Sequence, residues 1–109
     1  MTDRELLELA AKAAGLEYHW VKVDGGSLMQ ASEPGSRSEE SWNPLTDDGD
    51  ALRLAVSLGI DMYFWVSGVE AQHSDIPQQP IQHYKGDRAA ATRRAVTLVA
   101  AEIGKTRSD

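Results

Sequence analysis

IDMYFWVSGVEAQHS, residues 60–74, decides the fold. Two runs, Ile60 to Val66 and Val69 to Ser74, flank Ser67-Gly68, a pair suited to a two-residue hairpin connection. Alternation sends Ile60, Met62, Phe64 and Val66 one way, and Asp61, Tyr63 and Trp65 the other. Both faces are substantially apolar, the pattern of a central strand covered on each side. The second run sets Val69, Ala71 and His73 against Glu70 and Gln72, the cleaner alternation of a more exposed strand. Hairpin links imply a mainly antiparallel sheet, hence an α+β fold and not a doubly wound one.

Immediately upstream, a helix is expected from about Asp47 to Leu58, with Thr46 as N-cap and Gly59 closing it. Asp47, Asp48 and Asp50 complement the positive end of its dipole. Its apolar arc, through Ala51, Leu52, Leu54, Ala55, Val56 and Leu58, is about twice as wide as a helix resting on one surface needs. Cover from more than one side is therefore expected, by sheet plus a neighbouring helix or subunit.

Further out, Thr2 and Glu5 have capping-box spacing ahead of a helix from about Asp3 to Ala14, which Gly15 ends. Glu17 to Val23, Asp24-Gly25-Gly26 and Ser27 to Ala31 read as a second hairpin. Ser32 to Ser41 has the composition of a mobile loop. Downstream, Ile76 to Pro80 reads as a loop and Ile81 to Tyr84 as a short edge strand. A last helix is predicted from about Asp87 to Gly104, with Thr92, Val96, Val99 and Ile103 inward and Arg93, Arg94 and Thr97 outward. Lys105 to Asp109 reads as a frayed tail. The whole is one domain over residues 1–109, with three helices and a sheet of four or five strands.

The chain has 109 residues, 41% hydrophobic and 26% charged, which is ordinary for one globular domain. It has no cysteine, so disulfide and thiolate chemistry are excluded. Nothing approaches the ~20 apolar residues that span a bilayer, and MTDRELLELA lacks the basic start and apolar run of a secretory signal. A cytoplasmic location and no membrane partner are expected. The net charge is −6, with −7 on residues 1–50 and +3 on residues 84–109. Such a chain is repelled by phosphate backbones on average, so nucleic acid is not the expected partner.

Candidate chemistry is sparse. Asp47, Asp48 and Asp50 are dense enough to suggest a divalent cation, but they lack calcium-loop spacing and capping accounts for them. His19, His73 and His83 show no zinc-site spacing. No nucleophile elbow or phosphate loop occurs. No catalytic residue, metal or cofactor is expected, and the chain does not read as an enzyme. Tyr18, Trp20, Tyr63 and Trp65 would form a base-stacking platform if they shared a bare sheet face. The last helix is expected to cover that face instead. His83, Lys85, Arg88, Arg93 and Arg94 are the only basic concentration and the candidate partner-binding residues. Trp42 is expected to pack over the helix that follows it.

The segment from Trp42 to Val56, WNPLTDDGDALRLAV, resembles a motif of small bacteriophage and prophage proteins called the phage ABA-sandwich domain family. Residues 89–96 and 100–104 are similar to that family's last helix. The resemblance implies a three-layer α/β/α sandwich and a place in the host bacterial cytoplasm. It gives Trp42, Asn43, Pro44, Asp47, Asp48 and Leu52 a structural role and supplies no activity. The expected function is that of a phage accessory protein binding another protein, with a second copy of the chain among the candidates. The alternative is a nucleic-acid-associated regulator using the basic C-terminal segment, and after it a hydrolase with a cryptic site.

Overall fold

The computed structural model describes residues 1–107. Helix α1, Asp3–Ala13, starts on a complete capping box: the Thr2 hydroxyl accepts the Glu5 N–H, and the Glu5 carboxylate takes the Thr2 N–H. That carboxyl is held below its ordinary value by the Thr2 side chain first and the Thr2 backbone second. Gly15 then turns the chain with φ +72°. Strands β1, Glu17–Val23, and β2, Gly26–Ser32, pair antiparallel in full register across the expected turn. A third strand, β3, Glu40–Ser41, adds to β2 from within the segment expected to be a mobile loop.

Helix α2, Asp48–Leu58, is capped by Asp47 and not by Thr46: the Asp47 carboxylate accepts the Asp50 N–H at 2.8 Å. Gly59 closes it in the left-handed region. Strands β4, Asp61–Phe64, and β5, Gly68–Gln72, form the second hairpin. The Trp65 N–H donates to the Gly68 carbonyl, so the two-residue connection is Val66-Ser67, one position earlier than the composition suggested. Strand β6, Gln82–His83, pairs with β5, and helix α3 runs Arg88–Thr106. Lys105 and Thr106 are thus helical and not frayed; Ser108 and Asp109 lie outside the described residues.

The class is α+β with three helices, but the strands form two three-stranded antiparallel sheets, ordered β1-β2-β3 and β4-β5-β6. The expected single sheet of four or five strands is corrected: each hairpin recruits its own short third strand and they do not join. Tyr18 and Trp20 therefore cannot share a face with Tyr63 and Trp65.

The element that organises the core is α3. It packs on α1, α2, β5 and β6, and its buried residues run from Ala91 to Gly104. Because it is covered on several sides, its supposed outer row is not outward: Thr97 is fully buried and donates to the Arg93 carbonyl at 2.7 Å. Arg94 does face solvent. Helices α1 and α3 meet at Leu9 and Gly104, where an added Cβ would overlap the Leu9 backbone. A second apolar cluster, Leu7, Ala11 and Met29 with Trp20 and Leu45, joins α1 to the first sheet. Trp42 packs against both clusters and links them.

The burial of the second hairpin is the reverse of what its pattern predicts. Strand β5, with the plainer alternation, is the buried central strand, while β4 is an exposed edge. Val69 and Ala71 face the core. On the opposite face Glu70 is buried, not solvated, because Gln72 and Gln78 each donate to its Oε2 at 2.7 Å. The loop carrying Gln78 shields that carboxylate, and Tyr63 and Trp65 on the same face stay bare, 47% and 54% exposed. The expectation that α3 hides these aromatics is overturned.

Candidate functional site

Helix periodicity and strand alternation together build one apolar face. On α2, Leu52 and Val56 lie one turn apart on the same side and are 60% and 73% exposed. Among the described residues nothing covers this side of the helix, where a second cover is expected. On β4, Phe64 is 60% exposed, and Val66 at the hairpin tip is 94% exposed. Between α2, β4 and α3 runs a groove of about 310 Å³, floored by Ala51, Thr92 and Val96 and walled by Leu52, Met62 and Phe64. Its charged rim is Asp48, Arg88 and Arg93. A monomeric surface seldom leaves so many large apolar groups contiguous.

The rim charges are already engaged. Arg93 donates through Nε to the Leu45 carbonyl at 2.9 Å and through Nη1 to Asp48 at 2.6 Å. The Arg88 guanidinium stacks 4.6 Å from the centre of the Tyr84 ring. Of the five basic residues singled out from the sequence, His83, Lys85 and Arg94 line one shallow depression beside Asp87. Arg88 and Arg93 belong to the apolar groove instead. Arg94 pairs with Asp3 at 3.2 Å. The set does not converge on one anion-binding point.

The motif residues have plain tasks. Asn43 donates its N–H to Asp50 Oδ2 at 2.9 Å, and its side-chain oxygen accepts the Leu45 N–H at 2.9 Å. Pro44 is fully buried. Asp47 caps α2 and lies 3.9 Å from Arg53 Nη2, Asp50 binds the same Nη2 at 2.8 Å, and Asp48 holds Arg93, so each acid is engaged by the protein's own groups. The Asp50 hydrogen bond is the main cause of a raised Arg53 pKa. Leu52 is the exception, since it lies on the exposed groove and not in the core.

A second cavity of about 350 Å³ has a mixed lining, with Glu33, Glu40, Asp50, Arg53 and several serines beside Leu16, Trp42 and Leu54, and Asp50 and Arg53 pair with each other. Among the histidines, His73 bridges the Leu58 carbonyl at 2.9 Å and the Asp75 N–H at 3.1 Å, which assigns its proton to Nε2. His19 lies 3.5 Å from Glu39 on the surface. Among the described residues no three His, Asp or Glu side chains are grouped to hold a metal, and no helix is long and apolar enough to cross a membrane.

Val56, Phe64 and Val66 were missed as functional candidates because apolar strands and wide helical arcs read first as core. The signal was present in the excess: α2 and β4 each carry more apolar surface than one neighbour can cover. The chain matches no protein-family model, no curated protein and no solved structure.

Proposed function

We propose that this chain is a small phage or prophage accessory protein that acts by binding another protein through the apolar face of α2 and β4. The observation that carries the reading is the exposure of Leu52 and Phe64 in the groove, with Val56 one helical turn from Leu52 and Val66 at the hairpin tip also bare. Apolar side chains exposed together suit the water-excluded centre of a protein contact. The phage context rests on the resemblance in residues 42–56, 89–96 and 100–104, and with it goes a place in the bacterial cytoplasm.

The test is an affinity comparison. Tagged protein and its Leu52→Glu/Phe64→Lys variant are incubated with bacterial lysate and with untagged copies of the same chain. Both substituted side chains are exposed, so folding is expected to persist. Association that disappears in the variant supports the reading; a chain that retains nothing, or a variant that retains the same protein, overturns it.

One observation favours a second reading. Tyr63 and Trp65 are bare, as a base-stacking surface requires. Against it, Asp61 lies on the same strand face, and Arg93 and Arg94 are held by Asp48 and Asp3. A gel shift with single-stranded DNA or RNA at low salt, lost on Trp65→Ala, would favour this alternative.

A further inference from the structure

We infer that the protein docked on this face is a second copy of the same chain, added strand to strand at the free edge of β4; the inference rests on the protein-binding reading above. Its basis is the hydrogen-bond phase of the hairpin. Trp65 and Gly68 close it with a hydrogen bond, and paired residues in an antiparallel ladder alternate between bonded and non-bonded. Tyr63 opposite Glu70 and Asp61 opposite Gln72 are therefore the bonded pairs. Tyr84 N–H donating to Ser67 O, on the other side of β5, fits the same phase. Met62 and Phe64 consequently direct their N–H and C=O groups away from β5, toward the open edge.

A two-fold axis then permits few registers, and only one uses free groups throughout. Met62 opposite Phe64 of the second copy, with Tyr63 opposite Tyr63 on the axis, satisfies both residues in each chain. Sliding one way brings in Ile60, whose N–H is already bonded to the Ala55 carbonyl. Sliding the other way brings in Val66, which is in the turn. In the permitted register Asp61 meets Trp65, and the two Asp61 carboxylates sit about 13 Å apart along the strands, beyond the reach of strong repulsion in physiological salt.

The side chains agree with the backbone. Natural sheets guard their edges with charge, proline or brevity. The free edge of β1 has Glu17, His19 and Lys22, and β3 and β6 are two residues long. Strand β4 carries one charge, Asp61 at its first position, and from Met62 to Val66 the edge has neither charge nor proline. Together with Leu52 and Val56, these residues expose apolar surface on the order of 600 Å² per copy. Complete cover of it in both copies would total roughly 1,200 Å², the lower bound of stable specific interfaces.

The chain has no cysteine, so Tyr63→Cys reports on the axis without interference. Opposite non-bonded residues have Cα atoms about 4.5 Å apart, within disulfide reach. The expected results are a dimer by sedimentation equilibrium and rapid disulfide dimerisation of Tyr63→Cys on mild oxidation. Asp61→Cys and Trp65→Cys should cross-link when mixed and not when alone. Phe64→Pro removes an outward N–H and should weaken the dimer about tenfold or more, with its circular dichroism unchanged. A wild-type monomer at 100 μM, on the order of the weakest physiological self-association, overturns the inference. So does a dimer that Tyr63→Cys does not cross-link. A monomer that still retains a lysate protein lost in Leu52→Glu/Phe64→Lys rejects the second copy and leaves the protein-binding reading standing; a monomer that retains nothing rejects both.

Discussion

Gly104 of α3 lies against the main-chain carbonyl of Leu9 in α1 so closely that a methyl group in place of its hydrogen would overlap the oxygen. Glycine is a poor helix residue, and alanine alone would favour the helix by about 1 kcal/mol. The overlap is with backbone, which cannot rotate aside, so strain dominates. Gly104→Ala is expected to destabilise by about 2 kcal/mol net in urea denaturation. Gly49→Ala is the control, because its Cβ would meet side-chain ends only, the Arg53 guanidinium at 3.1 Å and the Asp47 carboxylate at 3.2 Å. It should be neutral or slightly stabilising.

Arg93 and Arg94 are neighbours in sequence and should behave differently. Arg93 ties α3 to the Leu45 carbonyl and Asp48 from a largely buried position, so Arg93→Ala is expected to cost about 1 to 2 kcal/mol. Arg94 and Asp3 form an exposed pair, and Arg94→Ala should change stability by less than about 0.5 kcal/mol. Equal losses in denaturant titrations would refute the assignment of inner and outer rows.

Glu70 gives an acid dependence with a definite sign. The Gln72 amide first, then Gln78 and Trp65, hold its carboxyl below the ordinary 4.5 against the opposing effect of burial. A folded-state pKa below the unfolded one adds stability above the unfolded value, and that stability disappears as pH falls through the folded value. Thermal melts should show Glu70→Gln less stable than the parent at pH 7. The gap should close as pH drops below about 4. A gap constant with pH would mean the carboxylate charge is not what the amides hold.

Tyr84 steadies the hairpin that carries β4. Its hydroxyl donates to the Trp65 carbonyl at 2.9 Å and its N–H to the Ser67 carbonyl at 3.1 Å. Tyr84→Phe removes only the first bond, at a cost of about 1 kcal/mol. The Trp65 amide should then exchange faster with solvent deuterium, while amides in α1 keep their protection.

Most local signals are legible in the sequence to within a residue, with the α2 cap and the second hairpin turn each displaced by one, whereas relations between distant elements are not. The Thr2–Glu5 box, Gly15, Gly59 and the Asp24-Gly25 turn each act through bonds or torsions within a few residues, so their chemistry is visible in the string. Whether two hairpins merge into one sheet depends on which edges meet, and no residue in either hairpin encodes that alone. The Met62–Val66 run shows the limit best. Alternation reveals that both faces avoid water, but burial inside a sheet and burial against a partner leave the same pattern. Thr97 was misplaced for a related reason: a helix covered on several sides has no solvent strip to predict.

The position of α3 has a consequence for synthesis. The larger of the two core clusters closes on a helix that begins at Arg88. While residues 1–87 leave the ribosome, α1 and the first hairpin can form only the small Leu7–Ala11–Met29 cluster, and the inner sides of Leu54 and Val69 stay wet. Translation must run past the late helix before cooperative collapse begins, so a nascent chain stalled in the loop before β6 should remain open to proteases.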